Sequence, residues 1–165
     1  MTQSQALDIL KMGRNVLITG PAGSGKTYLA MLAAVKAAGE RVKLVFVANP
    51  NNPTGSFLSG AEIEAFISQV PSNVVIVLDE AYNEYLHPNQ QYDAIGMARR
   101  YPNLIVSRSF SKAYGLAGLR IGYGIAQSSI TDLLNRIRQP FNVNSLAQAA
   151  AIAALADVDF LKKCY

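Results

Sequence analysis

The sequence predicts an α/β protein, a three-layer α/β/α sandwich built around a mostly parallel sheet. Apolar runs rich in Val, Ile and Leu, which are typical of buried strands, alternate along the chain with segments of helical periodicity. Loops rich in Gly, Pro and Asn separate the two kinds of segment. Of the 165 residues, 50% are hydrophobic and 16% are charged, so the chain can bury a core and fold as one domain.

The individual elements follow from apolar spacing and from residues that begin or end helices. Ser59, followed by Glu62, predicts a capping box at the start of a helix that Pro71 ends. Five strands, numbered 1 to 5 in chain order, are predicted at residues 15–19, 42–48, 73–78, 104–108 and 120–126. The predicted helices cover residues 2–12, 26–38, 59–70, 90–100, 129–138 and 145–156.

The charge and the cysteine content narrow the class of protein. The net charge is +4, but the basic residues occur in scattered pairs, which predicts a solvated surface rather than a nucleic-acid-binding face. Cys164 is the only cysteine, so no internal disulfide can form and a reducing compartment is compatible. The sequence has no recognisable signal peptide and no apolar run long enough to span a membrane. We therefore expect a soluble, cytoplasmic protein that binds neither nucleic acid nor a membrane.

A glycine-rich loop at residues 20–27 matches the phosphate-binding pattern G-x-x-x-x-G-K-[ST]. A predicted strand precedes the loop and a predicted helix follows it, so backbone N–H groups and the helix N-terminus would face one anion. Lys26 would reach the outer phosphates of a nucleotide, and Thr27 would hold Mg²⁺. The alternative is an ordinary glycine-rich turn. The residues of this loop are Gly20, Pro21, Ala22, Gly23, Ser24, Gly25, Lys26 and Thr27.

This unit resembles the first strand, loop and helix of P-loop NTPases. Residues 2–29 look most like the beginning of an ATP-dependent DNA helicase, but no other helicase motif follows. The resemblance therefore implies ATP with Mg²⁺, inorganic phosphate or sulfate as a ligand of the loop, without helicase activity.

Ordered motifs mark the rest of the chain: Asn49–Gly55 (NPNNPTG), Leu78–Tyr82 (LDEAY), Ser109–Arg120 (SFSKAYGLAGLR) and Arg138–Asn144 (RQPFNVN). On these motifs, the chain from about residue 42 onward resembles the histidinol-phosphate aminotransferases. That family is a branch of the fold-type-I enzymes that use pyridoxal phosphate (PLP). The resemblance implies that PLP is a cofactor of this chain.

The resemblance also implies a role for each residue of a PLP site. Lys112 matches the lysine whose amine forms a Schiff base with PLP. Asp79 matches the carboxylate that keeps the pyridine nitrogen protonated, and Asn52 and Tyr82 match the hydrogen-bond donors to the ring hydroxyl. Taken singly, each residue has an ordinary structural explanation, but their joint order and spacing favour a site. The residues that match the holders of the cofactor phosphate are Ser109, Ser111 and Arg120.

The same resemblance sets the expected architecture. With two family strands replaced by the P-loop unit, we expect a five-stranded sheet in the order 2-3-4-5-1, with strand 5 antiparallel. We expect a single hybrid domain over residues 1–165, with a P-loop-like unit at 1–40 and a PLP-transferase-like fragment at 41–165. The family's own phosphate loop, its stacking aromatic and its small domain find no match in the sequence. An engineered chimera is therefore expected.

Three functions are consistent with the sequence. The preferred one is a hybrid scaffold that binds a small phosphorylated ligand and has no efficient turnover, since the groups that would bind an amino substrate have no match. The first alternative is a PLP-binding, weak aminotransferase-like protein that uses Lys112. The second is a P-loop nucleotide-binding domain, in which Asp79 would hold Mg²⁺ and Glu80 would orient a water molecule.

Overall fold

One mixed β-sheet organises the part of the chain that the computed structural model describes, residues 43–164. Its strands lie in the order β1-β2-β3-β4. The first three are parallel to one another, and β4 runs antiparallel to β3. The strands are β1 (Leu44–Ala48), β2 (Val75–Asp79), β3 (Leu104–Ser109) and β4 (Gly122–Ile125).

Helices and short turns connect these strands. The described α-helices are α1 (Gly60–Gln69), α2 (Ala94–Arg100), α3 (Ser128–Ile137), α4 (Ser145–Ala156) and α5 (Val158–Lys162). Single 3-10 turns occur at Asn83–Tyr85, Pro88–Gln90 and Ala117–Leu119. Within residues 43–164, no helix is both long enough and apolar enough to cross a membrane.

Two helix starts show how the local sequence sets the boundaries. The capping box predicted for α1 is confirmed: Ser59 Oγ accepts from Glu62 N at 3.3 Å, and Glu62 Oε2 accepts from Ser59 N at 2.8 Å. The helix predicted at residues 90–100 begins later, at Ala94. Asp93 caps it, with Oδ1 accepting from Gly96 N at 2.7 Å, while Pro88 opens a separate 3-10 turn.

The predicted α/β class is confirmed, and the predicted sheet is confirmed in part. Predicted strands 2, 3, 4 and 5 correspond to β1, β2, β3 and β4, in the predicted order and with the last antiparallel. The described sheet therefore has four strands rather than five. Predicted strand 1, at residues 15–19, and the helices predicted at 2–12 and 26–38 lie outside the described residues.

The hydrophobic core lies on one face of the sheet. The strand register aligns Val47 of β1 with Leu78 of β2, and Leu78 with Val106 of β3. All three are buried, and buried residues of α1 and α2, such as Phe66 and Met97, belong to the same cluster. On the opposite face, Phe46 is 52% exposed in the described structure, so the three-layer arrangement stays a prediction.

Replacing Ser59 tests whether its capping box stabilises the start of α1. The substitution Ser59→Ala removes the oxygen that accepts from Glu62 N, so it should lower the free energy of unfolding by about 1 kcal/mol. Urea denaturation of the two proteins measures the difference. Ser129→Ala, at an exposed position in α3, is the matched control and should change stability by less than about 0.5 kcal/mol. Equal effects of the two substitutions would contradict the capping role.

Candidate cofactor-binding site

The carboxyl ends of the three parallel strands meet at one edge of the sheet. β1 ends at Ala48, β2 at Asp79 and β3 at Ser109. In open α/β sheets this edge is where ligands bind, because the loops that leave the strands converge there. The predicted site residues lie in or just beyond these three strand ends.

Asn52, Tyr82 and Lys112 come together from three separate loops. Asn52 Nδ2 donates to Tyr82 Oη at 2.9 Å, and Lys112 Nζ lies 5.3 Å from the centre of the Tyr82 ring. The Tyr82 hydroxyl accepts the bond from Asn52, so its own hydrogen remains to be donated, and the described residues show no hydrogen bond in which Tyr82 Oη is the donor. Asn52 and Lys112 are exposed, so the cluster is open to solvent on this side.

Asp79, the last residue of β2, is half-buried and only partly hydrogen-bonded. Its Oδ1 accepts from Ser107 Oγ at 3.3 Å and from Ala81 N at 3.1 Å. Within residues 43–164, Oδ2 has no hydrogen-bond donor. The side chain is therefore fixed through one oxygen and retains a second that can accept from a ligand N–H.

The three residues predicted to hold a phosphate also lie together. Ser109 Oγ accepts from Ser111 N at 3.0 Å. Arg120 Nη1 donates to Ser111 Oγ at 3.4 Å and to Ala117 O at 2.8 Å. Arg120 directly follows the 3-10 turn at Ala117–Leu119 and precedes β4, and its backbone is left-handed, with φ of 52°. This turn directs the guanidinium back toward the serines, giving a group of hydroxyls and one cation suited to a phosphate.

One buried polar side chain whose role sequence reasoning missed, that of Asn49, holds the first loop in place. Asn49 is 1% exposed and donates from Nδ2 to Leu58 O and to Tyr92 Oη, each at 2.9 Å. Its Oδ1 accepts from Leu58 N at 2.7 Å. Asn49 therefore fixes both ends of the loop that carries Asn52. The Asn-rich motif marked the segment, but only the fold shows that Asn49 is its structural anchor.

A buried ion pair under the site was also missed. Arg108 donates from Nε and Nη2 to Glu80 Oε2, at 2.9 and 2.8 Å, and the Glu80 side chain is fully buried. Burial raises the pKa of Glu80, although the charge of Arg108 opposes that shift. Burial lowers the pKa of Arg108, but the charge and hydrogen bond of Glu80 together with those of Tyr123 outweigh burial, so the net shift is upward. The water-orienting role considered for Glu80 depends on the glycine-rich loop, which lies outside the described residues, so that role stays a prediction.

The glycine-rich loop and the predicted Mg²⁺ ligands remain to be compared with the structure. The whole glycine-rich loop, Gly20 to Thr27, lies outside the described residues, and with it Thr27 as a Mg²⁺ ligand. In the described part of the chain, no group of three or more His, Cys, Asp or Glu side chains could hold a metal ion around Asp79 or elsewhere. His87, the only histidine of the sequence, is exposed and precedes the 3-10 turn that begins at Pro88.

Comparison with known proteins defines the class of protein. The sequence model of the family "Aminotransferase class I and II" matches residues 12–165. The chain therefore belongs to the class I and II aminotransferases.

Within that family the chain is similar to histidinol-phosphate aminotransferases. It is 58% identical to histidinol-phosphate aminotransferase 1 of Cupriavidus pinatubonensis over 96% of this chain and 41% of the relative. It is 70% identical to histidinol-phosphate aminotransferase 2 of Ralstonia nicotianae over 73% of this chain and 32% of the relative. The crystal structure of the Sinorhizobium meliloti histidinol-phosphate aminotransferase in complex with pyridoxal-5'-phosphate superimposes with a TM-score of 0.79 and 41% identity. That match covers 90% of this chain and 40% of the solved one. The chain thus spans about two fifths of the length of these relatives or less.

The family match bears on the glycine-rich loop as well. It begins at residue 12 and so runs across Gly20–Thr27. The comparisons bring no support for a P-loop NTPase, for a separate origin of that loop, or for ATP with Mg²⁺ as its ligand.

Removing the anchor of the Asn52 loop gives a testable consequence. Asn49→Ala would remove the buried side chain that bonds Leu58 N, Leu58 O and Tyr92 Oη, leaving the partly buried Leu58 N–H without its acceptor, so the free energy of unfolding should fall by about 2 kcal/mol or more. Chemical denaturation measures the loss. Asn73→Ala, at an exposed position before β2, is the matched control, for which we expect a change within about 0.5 kcal/mol. An Asn49→Ala protein as stable as this control would show that the anchor is dispensable.

Proposed function

We propose that this chain carries the PLP-binding part of an aminotransferase that acts on a phosphorylated amine, histidinol phosphate or a close analogue. The observation that carries the proposal is the meeting of Lys112, Tyr82 and Asn52, from three loops, at the strand edge where Asp79 ends β2. When bound, PLP supplies an electron sink for chemistry at the substrate amine carbon. The side chains of this protein would attach PLP, orient it and place opposite charges beside its charged groups.

The donors and acceptors present fit PLP in number and kind. The cofactor offers a ring N–H, a ring hydroxyl, an aldehyde and a phosphate. Asp79 Oδ2 is an open acceptor for the ring N–H, and the Tyr82 hydroxyl hydrogen is an open donor for the ring oxygen. Lys112 provides the amine that can bond to the aldehyde carbon. The group proposed to receive the phosphate consists of Ser109, Ser111 and Arg120.

Each of these side chains has a defined task in the proposal. Asp79 keeps a proton on the ring nitrogen, because an ionised carboxylate beside an N–H favours the protonated form. Asn52 orients the Tyr82 hydroxyl by donating to its oxygen at 2.9 Å, which directs the phenol hydrogen away from Asn52. The Tyr82 ring face stabilises the Lys112 ammonium by about 0.5–1 kcal/mol before the cofactor arrives.

The proposed substrate class comes from the relatives rather than from the site. Two of the similar proteins are named for histidinol phosphate, and the identities of 58% and 70% support a shared substrate class. A small phosphorylated ligand, expected from the sequence, agrees with both the cofactor and this substrate. The comparisons support the aminotransferase alternative better than the expected hybrid scaffold, and the expectation of little turnover stays a prediction.

Covalent attachment at Lys112 tests the proposal directly. Added PLP should produce a visible absorbance band, and borohydride reduction followed by peptide mass spectrometry should locate the adduct on Lys112. Lys112→Ala should lose the band and the adduct. Lys162→Ala, at a surface lysine paired with Asp159, is the matched control and should retain both.

The variant Lys26→Ala tests whether PLP is held by the glycine-rich loop rather than by the proposed site around Lys112. Lys26→Ala should leave the PLP band unchanged, because Lys26 has no role in the proposed site. If the adduct spreads evenly over the surface lysines, or if Lys26→Ala rather than Lys112→Ala removes it, the proposed function is wrong.

A further inference from the structure

The buried ion pair between Glu80 and Arg108 occupies a particular position relative to the site. Glu80 directly follows Asp79, and Arg108 directly precedes Ser109. The two residues are 28 apart in sequence: Glu80 comes directly after β2, and Arg108 lies in β3, the neighbouring parallel strand. The pair therefore bonds two strand ends to each other at the level where the proposed cofactor contacts begin.

The alternation of strand side chains separates the pair from the cofactor contacts. Leu78 and Val106 face the core, so Glu80 and Arg108, each two residues further, continue the same face. Asp79 and its register partner Ser107 belong to the other face, where Ser107 Oγ bonds Asp79 Oδ1. The ion pair thus lies beneath the site, on the core side of the sheet, and does not itself contact the cofactor.

Two hydrogen bonds fix the position of the Arg108 guanidinium relative to the Glu80 carboxylate. Two donors of Arg108 converge on one oxygen, Glu80 Oε2, while Oε1 is buried with no hydrogen-bond partner in the described structure. The Arg108 side chain is 16% exposed, so neither charge is well solvated. A buried ion pair seldom adds net stability over apolar residues of the same volume, because desolvation offsets the attraction. Stability alone therefore gives a weak reason for it.

We propose that Glu80 and Arg108 are positioning residues that fix the spacing between the ring end and the phosphate end of the PLP site. Through its neighbour Asp79, Glu80 locates the acceptor for the pyridine N–H. Through its neighbour Ser109, Arg108 locates the phosphate-binding hydroxyls. The pair joins the two ends, and Glu80 N donating to Ser107 O at 2.9 Å adds a backbone bond at the same level. This inference rests on the proposed function.

A comparison of two cofactor forms isolates the positioning role. PLP engages both ends of the site, whereas pyridoxal, which lacks the phosphate, engages only the ring end. The test variants are Glu80→Gln and Arg108→Met, each titrated with PLP and with pyridoxal by absorbance. Their PLP dissociation constant should rise roughly tenfold, because a small displacement of one contact group weakens the binding of a two-ended ligand. Their pyridoxal dissociation constant should change much less.

The controls separate positioning from general loss of structure. Glu64 and Arg100 form an ion pair between α1 and α2 whose side chains are 38% and 52% exposed. Glu64→Gln and Arg100→Met should leave both dissociation constants unchanged. A single variant at the buried pair that fails to fold is replaced by two others. The double variant Glu80→Met with Arg108→Met leaves no unpaired charge, and Arg108→Lys keeps the positive charge. Arg108→Lys should recover part of the PLP affinity.

The outcomes distinguish this inference from the proposed function. If the unsubstituted chain does not attach PLP at Lys112, the proposed function is wrong and the positioning role is wrong with it. If the unsubstituted chain attaches PLP but the variants lose PLP and pyridoxal affinity in equal proportion, the pair is only structural. The same conclusion follows if the variants lose melting temperature while keeping PLP affinity.

Discussion

The parallel pairing of β1, β2 and β3 is the constraint on which the rest of the described structure depends. Parallel strands end at the same edge of a sheet, so Ala48, Asp79 and Ser109 terminate together although they are far apart in sequence. The loops beyond them then converge. Every contact of the candidate site, from the Asn52 bond to Tyr82 to the Lys112 ammonium over its ring, is a consequence of that register.

Local signals made much of the fold predictable. A nearly continuous run of Val and Ile located β2, and the Ser59 and Glu62 pair located the start of α1, because both signals depend on neighbours in sequence. Lys112, Asp79 and Tyr82 were identified from ordered motifs, and the structure brings Lys112 and Tyr82 together. The bond between Glu80 and Arg108 was not predictable in this way, since it exists only once β2 and β3 are paired in register.

The glycine-rich loop shows the limit of a short motif. A pattern of glycines followed by Lys26 and Thr27 describes a backbone turn between a strand and a helix, together with a cation at its end. Many α/β proteins contain such a turn, so the pattern encodes a local conformation more strongly than it encodes a ligand. The family match, which extends from residue 12 to residue 165, uses the order of several motifs and therefore outweighs the short pattern.

Three of the four buried polar or charged residues in the described part of the chain lie near the site, and the fourth, Asn103, lies at the opposite end of the sheet, just before β3. Asn49, Asn51 and Glu80 are buried at the ends of β1 and β2, whereas the cluster packed against α1 and α2 is apolar. Burying a carboxylate or an amide costs free energy unless it is hydrogen-bonded, and Glu80 retains one oxygen with no partner. A sheet that required only stability would place aliphatic side chains there, as it does at Leu78 and Val106. The change from apolar to polar and ionic residues at the carboxyl ends of β1 and β2 therefore coincides with the level of the candidate site.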